Sequence, residues 1–165
     1  MKIKVVSEQI HRAVEAFIYR EARYADESAY DDWEALWTDD ALYWVPTSPD
    51  ANPDVDISHI YDNRARIGTR IRQLKSGFRF SQTPSSPMRR VISNIEISAL
   101  SENEYEVAAN FMLMELAIQS TRDMNFWGGA ITYRLRLIDD QFRMYYKKIM
   151  LVDADEPIAN LAFLI

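Results

Sequence analysis

The stretch that decides the fold is FWGGAITYRLRLIDDQFRMYYKKIMLV, residues 126–152. Apolar residues in it recur with a period close to two, which is typical of β-strands with one buried face. The turn-forming residues Asp139-Asp140-Gln141 interrupt the pattern. We therefore predict strands over residues 126–138 and 142–152 that pair as an antiparallel hairpin.

The same period continues toward the N-terminus. It predicts further strands over residues 89–100 and 105–121, joined by a turn at residues 101–104. Strands of this length need strong twist or a β-bulge, and Gly128-Gly129 is the candidate position for one. The back half should therefore form a strongly curved antiparallel sheet.

The front half follows a helical period of about 3.6 residues instead. It predicts a helix over residues 7–26 with Ser7 as N-cap, and a short helix over 28–37 with Ser28 as N-cap and Asp31 and Asp32 in its first turn. It then predicts a strand over 42–46, a loop over 46–56, and a helix over 63–75 that Gly77 ends. The predicted fold class is α+β, a curved sheet packed over N-terminal helices, in a single domain over residues 1–165.

Composition limits the classes of partner and of chemistry. The net charge of −6 disfavours nucleic acid and anionic membranes, which require excess Lys and Arg. No segment approaches the roughly 20 apolar residues of a membrane span, and we expect a cytoplasmic protein. The chain has no cysteine and only two histidines, His11 and His59. We therefore expect no metal or cofactor in this chain, and the metals of any redox enzyme to which it belongs should lie in another chain.

One set of residues could carry chemistry of its own. A curved sheet over helices can hold a small ligand at its open end, and His59, Asp31, Tyr43 and Asp62 are the candidates to line it. A histidine and a carboxylate could move a proton next to a carbonyl that a tyrosine polarises, as in an isomerase or dehydratase. The alternatives are a hydrogen-bonded structural histidine and an aspartate that only begins a helix.

Charge and hydrophobicity point to contacts with other subunits. Residues 26–56 contain ten acidic and no basic residues, whereas residues 64–90 contain eight basic and no acidic ones. The two stretches could neutralise each other, or the basic one could bind an acidic partner. Residues 111–114 are apolar on both faces of their strand, and the apolar tail 158–165 could close the chain's own core or pack on another subunit.

Several segments resemble one family, the small (beta) subunits of aromatic-ring-hydroxylating dioxygenases, which are Rieske non-haem iron oxygenases. These segments are FIYREARYADE (17–27), YDDWEAL (30–36), ALYWVP (41–46), IYDN (60–63), RRVISN (89–94) and KIMLVD (148–153). The family often has tryptophan where Phe80 stands and arginine where Pro87 stands, which leaves the subfamily open.

The resemblance implies the cone-shaped fold of nuclear transport factor 2, also called cystatin-like. It implies a structural role in an enzyme that adds O2 to an arene with electrons from NAD(P)H, with the Rieske [2Fe-2S] cluster and the mononuclear iron in the large (alpha) subunit. It also implies a hexamer of three large and three small subunits. We expect Arg64, Arg66, Arg70, Arg89 and Arg90 to contact the large subunit or a neighbouring small subunit.

Overall fold

The computed structural model describes residues 6–165. It contains three α-helices and six β-strands in one sheet, with strand order β2-β1-β6-β5-β4-β3. All neighbouring strands are antiparallel except β1 and β6, which are parallel. The elements are α1 (Glu8–Asp26), α2 (Tyr30–Glu34), β1 (Trp37–Pro46), β2 (Ser58–Asn63), α3 (Arg64–Lys75), β3 (Met88–Ala99), β4 (Glu104–Leu116), β5 (Met124–Ile138) and β6 (Gln141–Leu151), with a 3₁₀ turn at Phe80–Gln82 before β3.

The predicted four-strand meander is confirmed. Its hairpins form where the turn residues predicted them, and Asp139 and Asp140 both have positive φ, as a tight two-residue hairpin requires. Strand β4 ends at Leu116 rather than at residue 121. The chain turns there because the backbone N–H groups of Ala117 and Arg122 are used within the 117–123 loop.

The helix caps at Ser7 and Asn63 are also established. The Ser7 hydroxyl accepts a hydrogen bond from the Ile10 N–H at 3.2 Å, and the Asn63 side chain accepts one from the Arg66 N–H at 3.0 Å. Gly77 has a φ of +72° just beyond α3, in the left-handed region that ends helices.

The prediction that Ser28 caps the second helix is wrong. Ser28 has a φ of +55°, and its N–H bonds to Ala25 O while the Ala29 N–H bonds to Tyr24 O. This pair of bonds is a Schellman motif, so Ser28 ends α1 instead of starting α2. Helix α2 is consequently only five residues long, and Trp37 already belongs to β1. Strand β2 was not predicted, because the sequence favoured only a loop and a helix around it.

The predicted bulge at Gly128-Gly129 is wrong as well. The β4–β5 ladder runs without a register shift from Glu104↔Arg136 to Leu116↔Met124, and the irregularities lie at Ser93/Glu96 and Arg134/Leu135 instead. Gly129 is needed for a different reason. A Cβ atom built on it would lie 2.0 Å from the backbone oxygen of Met150 on β6. The absence of a side chain thus lets β5 and β6 approach each other closely.

We expect Gly129→Ala to lower the free energy of unfolding by about 1–3 kcal/mol, because the clash is with backbone that cannot rotate away. Gly128→Ala is the matched control, since its Cβ would lie 3.4 Å from Phe111 O, an ordinary contact. Urea unfolding of the two variants checks this, and equal stabilities would show that the close approach of β5 and β6 is not required.

The hydrophobic core lies between the helices and one face of the sheet. Phe17 and Ile18 of α1 and Ile67 and Ile71 of α3 are buried in the same cluster as alternate residues of the strands, among them Leu113. On the opposite face of β4 and β5, Met112 and Phe126 are exposed. The core therefore uses one face of the sheet and leaves an apolar strip on the other.

Of the two predicted roles of the apolar tail, closing the chain's own core is the one observed. Residues 162–165 are all buried, and the Phe163 ring packs edge-on against Trp127 with ring centroids 5.4 Å apart. The tail has no regular secondary structure but reaches into the space between helices and sheet.

Candidate functional site

A buried ion pair lies at the centre of the space between the helices and the sheet. Glu21 projects from the apolar face of α1 and Lys147 from β6, and neither side chain is more than 1% exposed. The Lys147 Nζ atom donates to Glu21 Oε1 at 2.8 Å. Trp33 Nε1 donates to the same oxygen at 2.7 Å, and the Tyr133 hydroxyl donates to Oε2 at 3.3 Å. The carboxylate is thus bonded at both oxygens.

The end of the tail is held by the same group of residues. The Ile165 backbone oxygen accepts hydrogen bonds from the Tyr43 hydroxyl at 2.7 Å and from Lys147 Nζ at 2.9 Å. The Ile165 N–H donates back to the Tyr43 oxygen at 3.1 Å. One residue earlier, Leu164 O accepts from Arg90 at 2.8 Å. The tail therefore fills part of the space between the helices and the sheet that a ligand could otherwise occupy.

Aromatic rings surround the Lys147 ammonium. Its Nζ lies 6.0, 5.8 and 5.7 Å from the ring centroids of Trp33, Tyr43 and Tyr133. Such ring faces attract a cation that has lost most of its water. The rings and the hydrogen bonds together replace the hydration shell that burial removes.

The pKa values of these groups are shifted by their surroundings. Burial alone would raise the pKa of Glu21, but the charges of Lys147 and Arg90 and the hydrogen bonds from Lys147 and Trp33 outweigh it and hold that pKa below its usual value. Burial lowers the pKa of Lys147, and the Glu21 charge opposes this. Burial raises the pKa values of Tyr43 and Tyr133. Both hydroxyls therefore stay protonated near neutral pH and act as hydrogen-bond donors.

The geometry leaves little for these groups to do chemically. Every polar atom in the cluster already has a partner within the chain, so none is free to take a proton from a substrate. Residues 6–165 form surface cavities, and five of them, of about 310–530 Å³, are lined by none of Glu21, Lys147 and Tyr43. The cluster therefore serves to hold α1, β6 and the tail together.

Comparison with known proteins identifies the family. The family described as ring hydroxylating beta subunit matches residues 20–155. The small oxygenase component of the p-cumate 2,3-dioxygenase system of Pseudomonas putida is 32% identical over 84% of this chain and 77% of its own length. The chain belongs to the ring-hydroxylating dioxygenase beta subunits.

Two further relatives agree with this assignment. The small subunit of the 2-halobenzoate 1,2-dioxygenase of Burkholderia cepacia is 28% identical over 84% of this chain and 86% of its own length. The crystal structure of the beta subunit of benzoate 1,2-dioxygenase from Burkholderia mallei superimposes with a TM-score of 0.76 at 21% identity, covering 98% of this chain and 100% of that one. The predicted cone-shaped fold of the nuclear transport factor 2 type is confirmed.

The four candidate catalytic residues of this beta subunit have separate partners. Asp31 is exposed and pairs with Lys75 at 2.6 Å. His59 Nε2 lies 3.2 Å from Ala154 O, and Asp62 accepts from Arg70 Nε at 2.7 Å. Tyr43 holds Ile165. Tyr43 and Asp62 are cross-strand partners in the β1–β2 ladder. Within residues 6–165, however, no side-chain hydrogen bond joins any two of the four, and none of the five cavities is lined by His59, Asp31 or Asp62.

Three of the five candidate interface arginines of the beta subunit have carboxylate partners within the chain. Arg64 donates to Glu34 at 2.8 Å, and Arg70 to Asp62 as above. The side chain of Arg90 is 2% exposed and donates to Asp26 at 2.7 Å. The acidic and basic stretches thus partly neutralise each other, since Asp26, Asp31 and Glu34 all pair with residues of the basic stretch.

The other two candidate arginines are exposed and differ from these three. Arg66 donates to Tyr61 O at 3.2 Å and Arg89 to the adjacent Met88 O at 3.0 Å. Neither forms an ion pair among the residues that the structure describes. Arg66 and Arg89 are therefore the two of the five that have no carboxylate partner among the described residues.

Neither a metal site nor a membrane helix is found in the part of the chain that the structure describes. Residues 6–165 contain no group of three His, Cys, Asp or Glu side chains placed to hold a metal ion. None of the helices described is long and apolar enough to span a membrane.

Sequence reasoning missed Glu21 and Lys147. A signal for Glu21 was present, because it lies on the same helical face as the buried Phe17, Ile18 and Ala25. A carboxylate on an apolar face requires a buried partner. Nothing local in the sequence identifies Lys147 as that partner, since the two residues are brought together only by the packing of α1 on β6.

Proposed function

We propose that this beta subunit acts as a structural, non-catalytic part of a multicomponent dioxygenase and assembles with a large subunit that carries the Rieske [2Fe-2S] cluster and the mononuclear iron. In the whole enzyme, O2 would be added to an arene. The observation that carries the proposal is the filled interior. In this fold the space between helices and sheet can hold a ligand, and here Ile165, Tyr43 and Lys147 occupy it.

Ligand chemistry supports a partner that brings the metals. A Rieske cluster is held by two cysteines and two histidines, and this chain has no cysteine and two histidines in all. Those two histidines have other contacts, since His11 lies 3.4 Å from Glu15 and His59 lies beside Ala154 O. The donors for both iron centres would therefore come from the large subunit.

The proposal extends to the form and place of the assembly. Three large and three small subunits would form the hexamer, with residues 1–165 as one domain of each small subunit. Two features support a protein partner. One is the exposed apolar strip with Met112 and Phe126. The other is the charge of Arg66 and Arg89, which no carboxylate among the described residues pairs with. We propose the cytoplasm as its location, because NAD(P)H supplies the electrons in the systems that the family resemblance implies.

Substitution of the candidate catalytic residues tests the non-catalytic role. We expect His59→Ala and Asp31→Asn, each in the co-expressed complex, to lower turnover less than tenfold, which is about 1.4 kcal/mol of barrier. Removing a true general base should cost roughly a hundredfold or more. Oxygen uptake with benzoate, salicylate and polycyclic arenes, normalised to iron content, provides the measurement.

Asp155→Asn is the matched control for Asp31→Asn, since Asp155 is an exposed aspartate outside the candidate set. The proposal fails if His59→Ala removes turnover a hundredfold while the complex stays intact and fully loaded with iron. It also fails if the wild-type chain forms no complex with a large subunit.

A further inference from the structure

A polar cavity of about 380 Å³ lies where β4 ends and β5 begins. It is bounded by the 117–123 loop, by the 3₁₀ turn before β3 and by residues 159–162 of the tail. Its lining includes Glu115, Gln119, Asp123 and Asn125. This cavity is separate from the Glu21–Lys147 cluster, and nothing in the function proposed above uses it.

Glu115 is a buried carboxylate without a counter-charge among residues 6–165. It is 4% exposed and accepts hydrogen bonds from the Ser86 hydroxyl at 2.6 Å and from Asn125 Nδ2 at 2.8 Å. The Ser86 oxygen already accepts from the amide nitrogens of Gln82 and Gln119, so its proton is directed to Glu115. Both Glu115 oxygens are therefore acceptors, and the donors to them are neutral side chains.

Gln119 supplies an acceptor atom that has no donor among the described residues. Its Nε2 donates to Ser81 O and to the Ser86 hydroxyl, each at 2.8 Å. A backbone carbonyl can only accept, which fixes the orientation of the amide. The Gln119 Oε1 atom is consequently buried and has no hydrogen-bond partner among the described residues. A buried acceptor of this kind is rare in folded proteins and calls for a donor from outside.

The charges of the residues that line the cavity favour a bound cation. Its lining contains Glu115 and Asp123 but no Lys or Arg. Arg122, the only cation of the 117–123 loop, is exposed and does not line it. No ion pair to Glu115 or Asp123 forms within residues 6–165. A group with several N–H donors and a positive charge would satisfy what the chain leaves unpaired.

Exposed apolar side chains lie next to the same cavity. Phe80 belongs to the 3₁₀ turn that bounds it and is 82% exposed. Met124 is 51% exposed on the opposite face of β5 from the lining residue Asn125, where it lines a neighbouring cavity with Met114 and Leu116. Apolar residues around a charged, desolvated centre are the arrangement found where a few residues dominate a protein–protein interface. A free metabolite would not need this surrounding surface, whereas a protein partner would cover it.

We propose that an arginine side chain of the large subunit enters this cavity and pairs with Glu115 and Gln119. The inference rests on the function proposed above and specifies one contact in that assembly. Arginine fits better than lysine because its planar guanidinium presents five donors in a fixed geometry, enough for a carboxylate and an amide oxygen together. The cavity would thus be a main contact point between the two kinds of subunit.

Loss of the Glu115 charge should weaken the assembly. We expect Glu115→Gln to raise the concentration at which the co-purified complex dissociates by at least about thirtyfold, the lower bound for breaking one side of a desolvated charge pair. Mass photometry over a dilution series measures this. Glu106→Gln is the matched control, because Glu106 lies on the same strand but pairs with Arg134 on the surface.

A second variant tests the cavity without removing any of its hydrogen bonds. Ser120 is exposed, lines the cavity, and its side chain makes no hydrogen bond among the described contacts. Ser120→Arg should fill the cavity with the chain's own guanidinium and weaken assembly as Glu115→Gln does. Ser98→Arg, at an exposed position on β3, should leave assembly unchanged. If Glu115→Gln fails to fold, Ser120→Arg alone decides.

The possible outcomes separate the hypotheses. Wild-type assembly with a large subunit that both variants retain at full strength would overturn this inference and leave the proposed function standing. No assembly of the wild type would overturn the proposed function itself. Agmatine, a small guanidinium compound, can be titrated against the isolated chain while the side-chain amides of Gln119 and Asn125 are followed by NMR. Agmatine binding that Glu115→Gln abolishes, combined with unchanged assembly of both variants, would identify a small-cation site and overturn the partner assignment.

Discussion

Replacing Lys147 with methionine is expected to lower the free energy of unfolding by about 3–5 kcal/mol, the usual cost of leaving one member of a buried ion pair alone. The variant keeps most of the side-chain volume but removes the charge opposite Glu21. It also removes one of the two side-chain donors to Ile165 O, the Tyr43 hydroxyl being the other. Glu21 would then keep only the bonds from Trp33 and Tyr133. Urea unfolding of the isolated chain measures the loss.

The double variant Glu21→Gln with Lys147→Met separates charge from packing. It removes both charges while the glutamine oxygen can still accept from Trp33 Nε1, so we expect it to recover at least half of the stability that Lys147→Met loses. Lys148→Met is the matched single control, because Lys148 is only partly buried and its Nζ lies over the Trp44 ring instead of in the ion pair. A loss no larger for Lys147→Met than for Lys148→Met would show that the pair does not stabilise the fold.

The pH dependence of the same variant has a definite sign. In the wild type the pKa of Glu21 is lower in the folded state than in the unfolded state. The ionised Glu21 side chain therefore stabilises the fold at pH values above its unfolded pKa, and this stabilisation is lost as the pH falls through its folded pKa. Without Lys147, burial is no longer offset by that charge, and the folded pKa of Glu21 should rise. The folded variant would then bind a proton more readily than the unfolded chain. The stability deficit of Lys147→Met should therefore shrink as the pH is lowered from neutral toward 5.

The overall fold was predictable from the sequence because its signals are local. The alternation over residues 126–152 and the positive-φ turn at Asp139-Asp140 specify a hairpin before any distant contact is known. The errors arose where a residue serves two adjacent elements. Ser28 has the chemistry of an N-cap, yet it ends α1, and Gly129 permits a close approach of strands instead of a bulge.

The site was less predictable because its contacts join distant parts of the chain. Glu21 and Lys147 are 126 residues apart, and Tyr43 meets Ile165 across 122 residues. Charge patterning indicated that the acidic and basic stretches could neutralise each other, which Arg90 and Asp26 do. It could not show which arginines remain unpaired, since that depends on how α3 and β3 lie against the N-terminal residues. The amino-acid composition alone, in contrast, was enough to predict that the metals lie in another chain. Counting cysteines and histidines requires no knowledge of the geometry.

The tail is anchored in the interior by a buried aromatic side chain. Phe163 is 3% exposed and lies edge-on against Trp127 of β5. Truncating a buried phenylalanine to alanine removes its transfer free energy and leaves a cavity, which together cost about 3–5 kcal/mol. We expect Phe163→Ala to lower the free energy of unfolding by an amount in this range. The hydrogen bonds that the backbone of Ile165 forms with Tyr43 and Lys147 hold the tail in place, so it cannot collapse into the cavity left by the ring.

Phe78→Ala is the matched control for Phe163→Ala, since Phe78 is 82% exposed and its loss should change stability by no more than about 0.5 kcal/mol. Urea unfolding of the isolated chain compares the two variants. A small effect of Phe163→Ala would mean that the tail is held by its hydrogen bonds alone and that the interior tolerates an opening. The space between helices and sheet would then be available to a ligand, and the structural role proposed for this subunit would lose its main support.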